Sequence, residues 1–322
     1  MHCEIRNIFL AALVAAPLVA LAAPRPPAPA VGETKGSEAQ HFATPDDAAK
    51  ALLEAARSDD RNQLMTVFGS RDADLLSSGD EVEDKNNRAE FVTLAQEKMS
   101  VEAIGENRAV VHVGNTDWPF PVPLVKNGET WRFDTTQGRE EILNRRIGRN
   151  ELRTLGVIRG YLEAQFDYAN EDRDGDGVSE YAQKLRSEPG KFDGLFWQTE
   201  AGQPLSPLGP LVAEARAGGY KLEDPTDKPL PYHGYYYRIL TRQGSAAPGG
   251  KYDYIINGNM IAGFGLVAFP AQYGASGVMT FIVNHQGKIY QKDLGPRTAQ
   301  LAATMKEYNP DMGWELVETG NR

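Results

Sequence analysis

Arg139-Glu-Glu-Ile-Leu-Asn-Arg-Arg-Ile-Gly-Arg-Asn-Glu-Leu-Arg-Thr-Leu-Gly-Val-Ile-Arg-Gly-Tyr-Leu-Glu-Ala-Gln-Phe-Asp-Tyr-Ala-Asn170 is the stretch on which the fold turns. Leu143, Ile147, Leu152, Leu155, Ile158, Leu162 and Phe166 recur at helical spacing, which predicts one long helix with these side chains inward. Its first half is basic, with Arg139, Arg145, Arg146, Arg149 and Arg153 set among Glu140, Glu141 and Glu151. Two readings stay open for these cations: i,i+4 ion pairs on a solvated face, or a small anion site built from Arg145, Arg146 and Arg149.

Upstream of this helix, the pattern changes from helices to strands. Thr44-Pro45-Asp46-Asp47 opens a helix, with a capping hydroxyl, proline in the first turn and acids at the positive dipole end. Further helices are expected over Arg61–Phe68 and near Asn86–Met99, then strands over Ala109–Val113, Phe120–Val125 and Thr130–Phe133. Asn127-Gly128 marks a hairpin, and prolines 119, 121 and 123 confine Trp118–Leu124 to an edge. Over residues 42–136 this order of elements resembles the cone-shaped folds related to nuclear transport factor 2. Some of those cones hold a catalytic pocket, but a fold does not assign a function.

Downstream, a short helix over Glu180–Ser187 and another over Ser206–Ala215 are expected, and from Pro231 the chain turns β-rich. Strands are expected at Gly234–Leu240, Tyr252–Ile256, Ile261–Phe269, Val278–Val283 and Lys288–Lys292, closed by a helix over Arg297–Tyr308. The fold class is therefore α+β: an N-terminal helix-plus-curved-antiparallel-sheet unit, a helical middle and a C-terminal antiparallel sheet. The expected organisation is a signal peptide at 1–22, a Pro/Ala-rich linker at 23–41, an N-terminal unit at 42–136, a middle at 137–227 and a C-terminal unit at 228–322.

The middle carries Asn170-Glu-Asp-Arg-Asp-Gly-Asp-Gly-Val-Ser-Glu-Tyr181. In the order of a calcium loop, Asp172, Asp174 and Asp176 fill positions 1, 3 and 5, Val178 offers a carbonyl and Glu180 follows. Position 12, a bidentate Glu in such loops, is Gln183. The alternative is a solvated Asp-Gly turn that needs no Ca²⁺.

Arg6, the apolar run Ile8–Leu21 and Ala20-Leu21-Ala22 read as a secretory signal cut after Ala22, which places the mature protein in the periplasm or outside the cell. The run is shorter than the roughly 20 residues of a membrane-spanning helix, so no stable span is expected after cleavage. The single Cys3 lies inside the signal, and the mature chain is expected to fold on core burial alone. A net charge of −10 makes nucleic acid a poor partner, leaving an envelope protein or a small ligand.

No zinc-binding H-E-x-x-H, nucleophile elbow or phosphate loop is present. The strongest polar cluster is Tyr232-His233-Gly-Tyr235, in which His233 serves as a general base or as a hydrogen-bonded structural residue; Asp193 is its candidate orienting acid.

Seven blocks carry a resemblance: Trp118-Pro-Phe-Pro-Val-Pro, Trp131-Arg-Phe-Asp, Arg145-Arg-Ile-Gly-Arg-Asn-Glu151, Asp193-Gly-Leu-Phe-Trp197, Pro231-Tyr-His-Gly-Tyr-Tyr, Gly277-Val-Met-Thr-Phe281 and Lys292-Asp-Leu-Gly-Pro296. Through them the chain resembles an exported bacterial family catalogued as domain of unknown function 2950. The resemblance implies export and no activity. The expected function is a non-enzymatic binding module of the cell envelope, stabilised by calcium. The alternatives are a hydrolase using His233 and Asp193, or a subunit of a secretion or pilus-like assembly.

Overall fold

The computed structural model describes residues 38–69, 75–221 and 230–317. The expected signal peptide, and the expected linker up to residue 37, lie outside the described residues. The described residues form one compact unit. No helix among the described residues is long and apolar enough to cross a membrane.

Three helices open this unit: α1 (Pro45–Arg57), α2 (Arg61–Phe68) and α3 (Glu81–Glu97). Thr44 caps α1 through the Asp47 amide, as the sequence requires. α3 starts five residues before the expected Asn86. Asp80 accepts the Glu83 N–H, and Glu81, Glu83 and Asp84 occupy the positive end of the dipole. The five strands β1 (Met99–Ala103), β2 (Arg108–Val113), β3 (Trp118–Pro119), β4 (Leu124–Asn127) and β5 (Thr130–Phe133) form an antiparallel sheet in the order β1-β2-β4-β5, with β3 also paired to β2. Of the expected strand Phe120–Val125 only Leu124 and Val125 lie in a strand, because the prolines at 121 and 123 supply no ladder N–H. Asn127 and Thr130 pair across the expected hairpin turn. Leu52, Val67, Phe68, Val111, Leu124 and Phe133 make the core between these helices and the sheet.

The long helix exists as α4 (Thr135–Tyr168), 34 residues and about 51 Å at 1.5 Å per residue. Its buried face differs from the expected one. Leu152 is 72% and Phe166 47% exposed, whereas Asn150, Thr154, Val157, Ile158, Tyr161, Ala164, Gln165 and Tyr168 are buried. The buried set keeps helical spacing, but three of its members are polar and hide the stripe from a hydrophobicity count. Each has a partner: Asn150 donates to Ser276 O (2.9 Å), Thr154 meets the Tyr237 hydroxyl (3.3 Å), and Gln165 both donates to Ala182 O and accepts Ala182 N–H.

The expected helix at Glu180–Ser187 is absent. That segment runs extended beside residues 194–196, with Leu195 N–H to Lys184 O, Phe196 N–H to Leu185 O and Ser187 N–H to Phe196 O. Backbone pairing across the Pro189-Gly190 reversal outcompetes local helix propensity. A short α5 (Gly209–Ala217) follows.

The C-terminal part holds β6 (Tyr235–Leu240), β7 (Arg242–Gln243), β8 (Tyr252–Asp253), β9 (Ile255–Ile256), β10 (Asn259–Met260), β11 (Gly265–Pro270), β12 (Met279–Asn284), β13 (Tyr290–Asp293), β14 (Glu307–Tyr308) and β15 (Glu315–Leu316). The main sheet runs β15-β13-β12-β11-β6, all antiparallel. β11 is buried along its whole length because both faces are covered. Leu266 and Ala268 join the cluster under α4, and Val267 and Phe269 join the cluster under α6 (Thr298–Thr304). The closing helix is shorter than expected, since residues 307–308 pair with β7 as a parallel bridge.

α4 therefore serves two cores. Ile142 packs on the N-terminal cluster, and Ile158 to Tyr168 pack on the C-terminal one. Its tightest seat is Gly138, where an added Cβ would lie 2.8 Å from Val122 Cγ2 and 2.9 Å from Val122 Cα. In an ordinary helix, Gly→Ala stabilises by about 1 kcal/mol. Here Gly138→Ala is expected to destabilise by about 1–3 kcal/mol through overpacking, read as a lower urea midpoint with unchanged slope. A rise in the midpoint would show that the helix does not seat this closely on Val122.

Candidate functional site

Three elements converge on a cleft of about 340 Å³ in the N-terminal part. α3 contributes Asn87, Glu90, Phe91 and Leu94; α4 contributes Ile142, Arg145, Arg146, Arg149 and Asn150; the proline-broken stretch contributes Trp118, Phe120 and Val122. Phe120 is the hub of the apolar wall, with ring centroids 6.2 Å from Phe68, 5.4 Å from Phe91 and 6.1 Å from Phe133. Trp118 and Pro119 pair with β2 and Phe120 N–H donates to Val111 O, so Trp118 and Phe120 pack against the N-terminal core, and the prolines at 121 and 123 end the pairing there.

The opposite wall is cationic. Arg145 lies over the Trp118 ring at 4.7 Å, donates to Glu141 Oε1 (2.6 Å) and to Pro119 O (2.9 Å). Arg146 donates to the carbonyls of Leu75 (2.5 Å) and Ser77 (3.3 Å). Arg149 donates to Asn87 Oδ1 at 2.5 Å, a neutral acceptor. Each of the three guanidiniums is thus oriented by the protein before any ligand arrives.

A second polar cluster lies where α3, α4 and the entrance of β6 meet. Asp80 Oδ2 accepts the Tyr220 hydroxyl (3.0 Å) and the Gly234 N–H (2.9 Å). Glu83 is ion-paired with Arg153, and its Oε2 lies 3.4 Å from His233 Nδ1 and 3.3 Å from the Tyr220 hydroxyl. Both acids are almost fully buried. Burial raises the Asp80 pKa. Burial pushes Glu83 up as well, but the His233 hydrogen bond and the Arg153 charge outweigh it and bring Glu83 down to about 2. His233 has φ +52°, in the left-handed region that non-glycine residues avoid. Its N–H bond to Tyr220 and its contact to Glu83 hold it there.

The acidic loop lies at the far end of α4. One oxygen each of Asp172, Asp174 and Asp176 fall within 4.8 Å of one another, all exposed. Gly175 and Gly177 have φ +79° and +91° and donate their N–H groups to Asp172, whose carboxyl is held below its usual range by those bonds. Asp176 accepts from Val178 N–H and from Asn259 Nδ2 (2.7 Å). Glu180 accepts Met260 N–H at 2.5 Å, and burial raises its pKa. Gln183 donates to Gly258 O, so the residue at position 12 clips the loop to the β9–β10 hairpin.

A family model described as a protein of unknown function (DUF2950) matches residues 39–317. The chain belongs to the DUF2950 family. The match takes in the cleft, the buried acids and the acidic loop. No curated protein and no solved structure gives a significant match.

In this DUF2950 chain, the residues singled out from sequence separate into distinct places. Arg145, Arg146 and Arg149 are brought together on one cleft. Asp172, Asp174, Asp176, Val178 and Glu180 share one loop, as their spacing requires. His233 and Asp193 are not brought together: His233 faces Glu83, while Asp193 binds Lys184 (2.7 Å) and the Glu188 N–H (2.9 Å). Arg238 caps the end of α6 by donating to the carbonyls of Ala302 and Met305. Sequence reasoning passed over Asp80 and Glu83. Asp80-x-x-Glu83 has the spacing of a capping box, which marks the helix start but gives no sign of burial against His233.

Glu83→Gln leaves Arg153 and His233 facing a neutral amide. Because Arg153 is 40% exposed, the loss is expected at about 2–3 kcal/mol, below the 3–5 of a fully buried pair. Glu83 titrates below its ordinary 4.5 in the folded chain, so its contribution is complete above that pH and disappears as pH falls toward about 2. Asp80, raised by burial, acts in the opposite sense and favours the fold at acid pH. Urea unfolding from neutral to acid pH is expected to show a shallower acid decline in Glu83→Gln than in the parent. Parallel curves would show that Glu83 does not carry this linkage.

Proposed function

We propose that this DUF2950 protein is a non-enzymatic binding module of the cell envelope whose cleft between α3, α4 and residues 118–122 takes a small ligand. The observation that carries this reading is the cleft itself. Ligand sites are concave, mainly apolar and carry a few fixed polar groups. Here aromatic and aliphatic side chains face three guanidiniums already oriented by protein partners. The volume falls near the lower end of small-molecule pockets. His233 and Asp193 are committed to other partners, and neither lines the cleft, which supports binding over hydrolysis. The signal-like run Ile8–Leu21 with Ala20-Leu21-Ala22 supports export.

The test is a titration with the neutral apolar dye N-phenylnaphthylamine. Saturable binding of one dye per chain is expected, weakened about tenfold, or 1.4 kcal/mol, by Thr116→Trp. Thr116 lies exposed on the cleft lining, so the added ring blocks entry without touching the core. Absence of saturable binding would remove the reading.

Calcium at Asp172, Asp174 and Asp176, with the Val178 carbonyl and Glu180, is the second part of the proposal, favoured by the convergence of the three carboxylates. The loop clips the end of α4 to the β9–β10 hairpin, so an ion there would act on stability. Calorimetry is expected to show binding in the range of extracellular modules, about 10⁻⁴–10⁻³ M. A rise in melting temperature should accompany it, and both should be lost in Asp174→Asn/Asp176→Asn. No heat at millimolar calcium would leave the loop a plain turn.

A further inference from the structure

We infer that the ligand of this cleft is an amphipathic carboxylate, an apolar chain or ring ending in one anionic head, and that Arg149 is the residue that recognises the head. The inference rests on the cleft being a ligand site and adds the chemical class of what it holds.

The distribution of charge points this way. Among the described residues, three guanidiniums and one carboxylate, Glu90, line the cleft, on a chain whose net charge is −10. A positive recess on an acidic protein is a local feature, and it favours an anion against the field of the surrounding surface. The three arginines are not equivalent. Arg145 is neutralised by Glu141 at 2.6 Å and spread over the Trp118 face. Arg146 commits donors to two backbone carbonyls, which hold residues 75–77 against the helix. Arg149 is held by the amide oxygen of Asn87, and no carboxylate among the described residues comes within 4 Å of it. A guanidinium has five N–H donors in a planar fork, and a carboxylate matches that fork with two parallel bonds. Asn87 fixes the fork while leaving its charge uncompensated.

Helix geometry makes the head and tail sites adjacent. Arg145 and Arg149 are i,i+4 neighbours on one face of α4, so the Arg145–Trp118 stack sits one turn from the Arg149 head group. Beyond it lie Phe91, Phe120 and Leu94. A head on Arg149 thus leaves its apolar body against aromatic rings, where burial of apolar surface is favourable. A small hydrophilic anion forgoes that contribution, and an uncharged apolar molecule leaves Arg149 desolvated without a counter-charge. A ligand with both parts meets both walls. A cationic amphiphile is opposed by the uncompensated charge of Arg149.

The experiment is displacement of bound N-phenylnaphthylamine near neutral pH by decanoate, decanol and decylammonium, in the parent and in Arg149→Gln and Arg149→Lys. Decanoate is expected to displace the dye at a concentration at least about tenfold lower than decanol, and decylammonium to be the weakest. In Arg149→Gln, decanoate and decanol should become equal in displacing the dye. Arg149→Lys, which keeps the charge without the fork, should retain part of the preference. Decanol matching decanoate in the parent, or a decanoate preference that survives Arg149→Gln, would overturn the inference while the dye still binds and the cleft reading stands. If the dye does not bind, the cleft reading falls and this inference falls with it. Should Arg149→Gln fail to fold, the parent comparison and Arg149→Lys decide the matter.

Discussion

Everything in this protein is arranged around one helix that belongs to two cores at once. α4 seats its first turns against Val122 through Gly138, where there is no room for a side chain, and its last turns against the C-terminal sheet through Ile158, Tyr161 and Tyr168. A rigid rod of about 51 Å held at both ends sets the position of everything it touches between. The cleft is formed by the basic middle of the rod, and the acidic loop hangs from its far end. An α-helix satisfies its own backbone, so the side chains on all of its faces remain available for tertiary contacts. α4 uses them on three fronts.

The buried carboxylates show the cost of that arrangement. Asp80 and Glu83 are removed from water by α4, Tyr220 and the entrance of β6, and desolvation alone would push both toward their neutral forms. Arg153 of α4 and His233 outweigh this for Glu83; for Asp80, backbone and tyrosine donors offset only part of it. Removing one member leaves a buried group unpaired, which makes the cluster selective for a single docking of the N-terminal helices on the C-terminal sheet. The left-handed backbone at His233 is the local strain such a cluster sustains.

The cleft shows how proline and arginine divide the work. Trp118 and Phe120 stay paired to β2, and the prolines at 121 and 123 end the pairing just beyond them, so both rings line the cleft beside the N-terminal core. Arginines one helical turn apart meet them from α4. The hydrogen bonds of Arg145 to Pro119 O and of Arg146 to Leu75 O tie the two walls together, so the cleft is held open by polar contacts rather than by strain. Asn87 completes the set with a neutral acceptor, leaving Arg149 oriented and uncompensated.

The α+β class, the capped α1, the Asn127-Gly128 hairpin and the β-rich C-terminal part were all legible in the sequence. Each rests on local chemistry: a hydroxyl before a proline, a turn dipeptide, apolar alternation. The grouping of Arg145, Arg146 and Arg149 was legible too, since i,i+4 spacing places side chains on one face wherever the helix lies. Tertiary structure decided which face of α4 is buried, because Asn150, Thr154 and Gln165 find partners on Ser276, Tyr237 and Ala182, more than fifteen residues away in every case. It decided that residues 180–187 run extended, because pairing with 194–196 outweighs helix propensity. It decided that His233 answers to Glu83 and not to Asp193. Local sequence determines what a segment prefers and which side chains share its faces. Which distant group satisfies a buried polar atom is set only when the chain has closed, since that partner is chosen by position in space and leaves no period in the sequence.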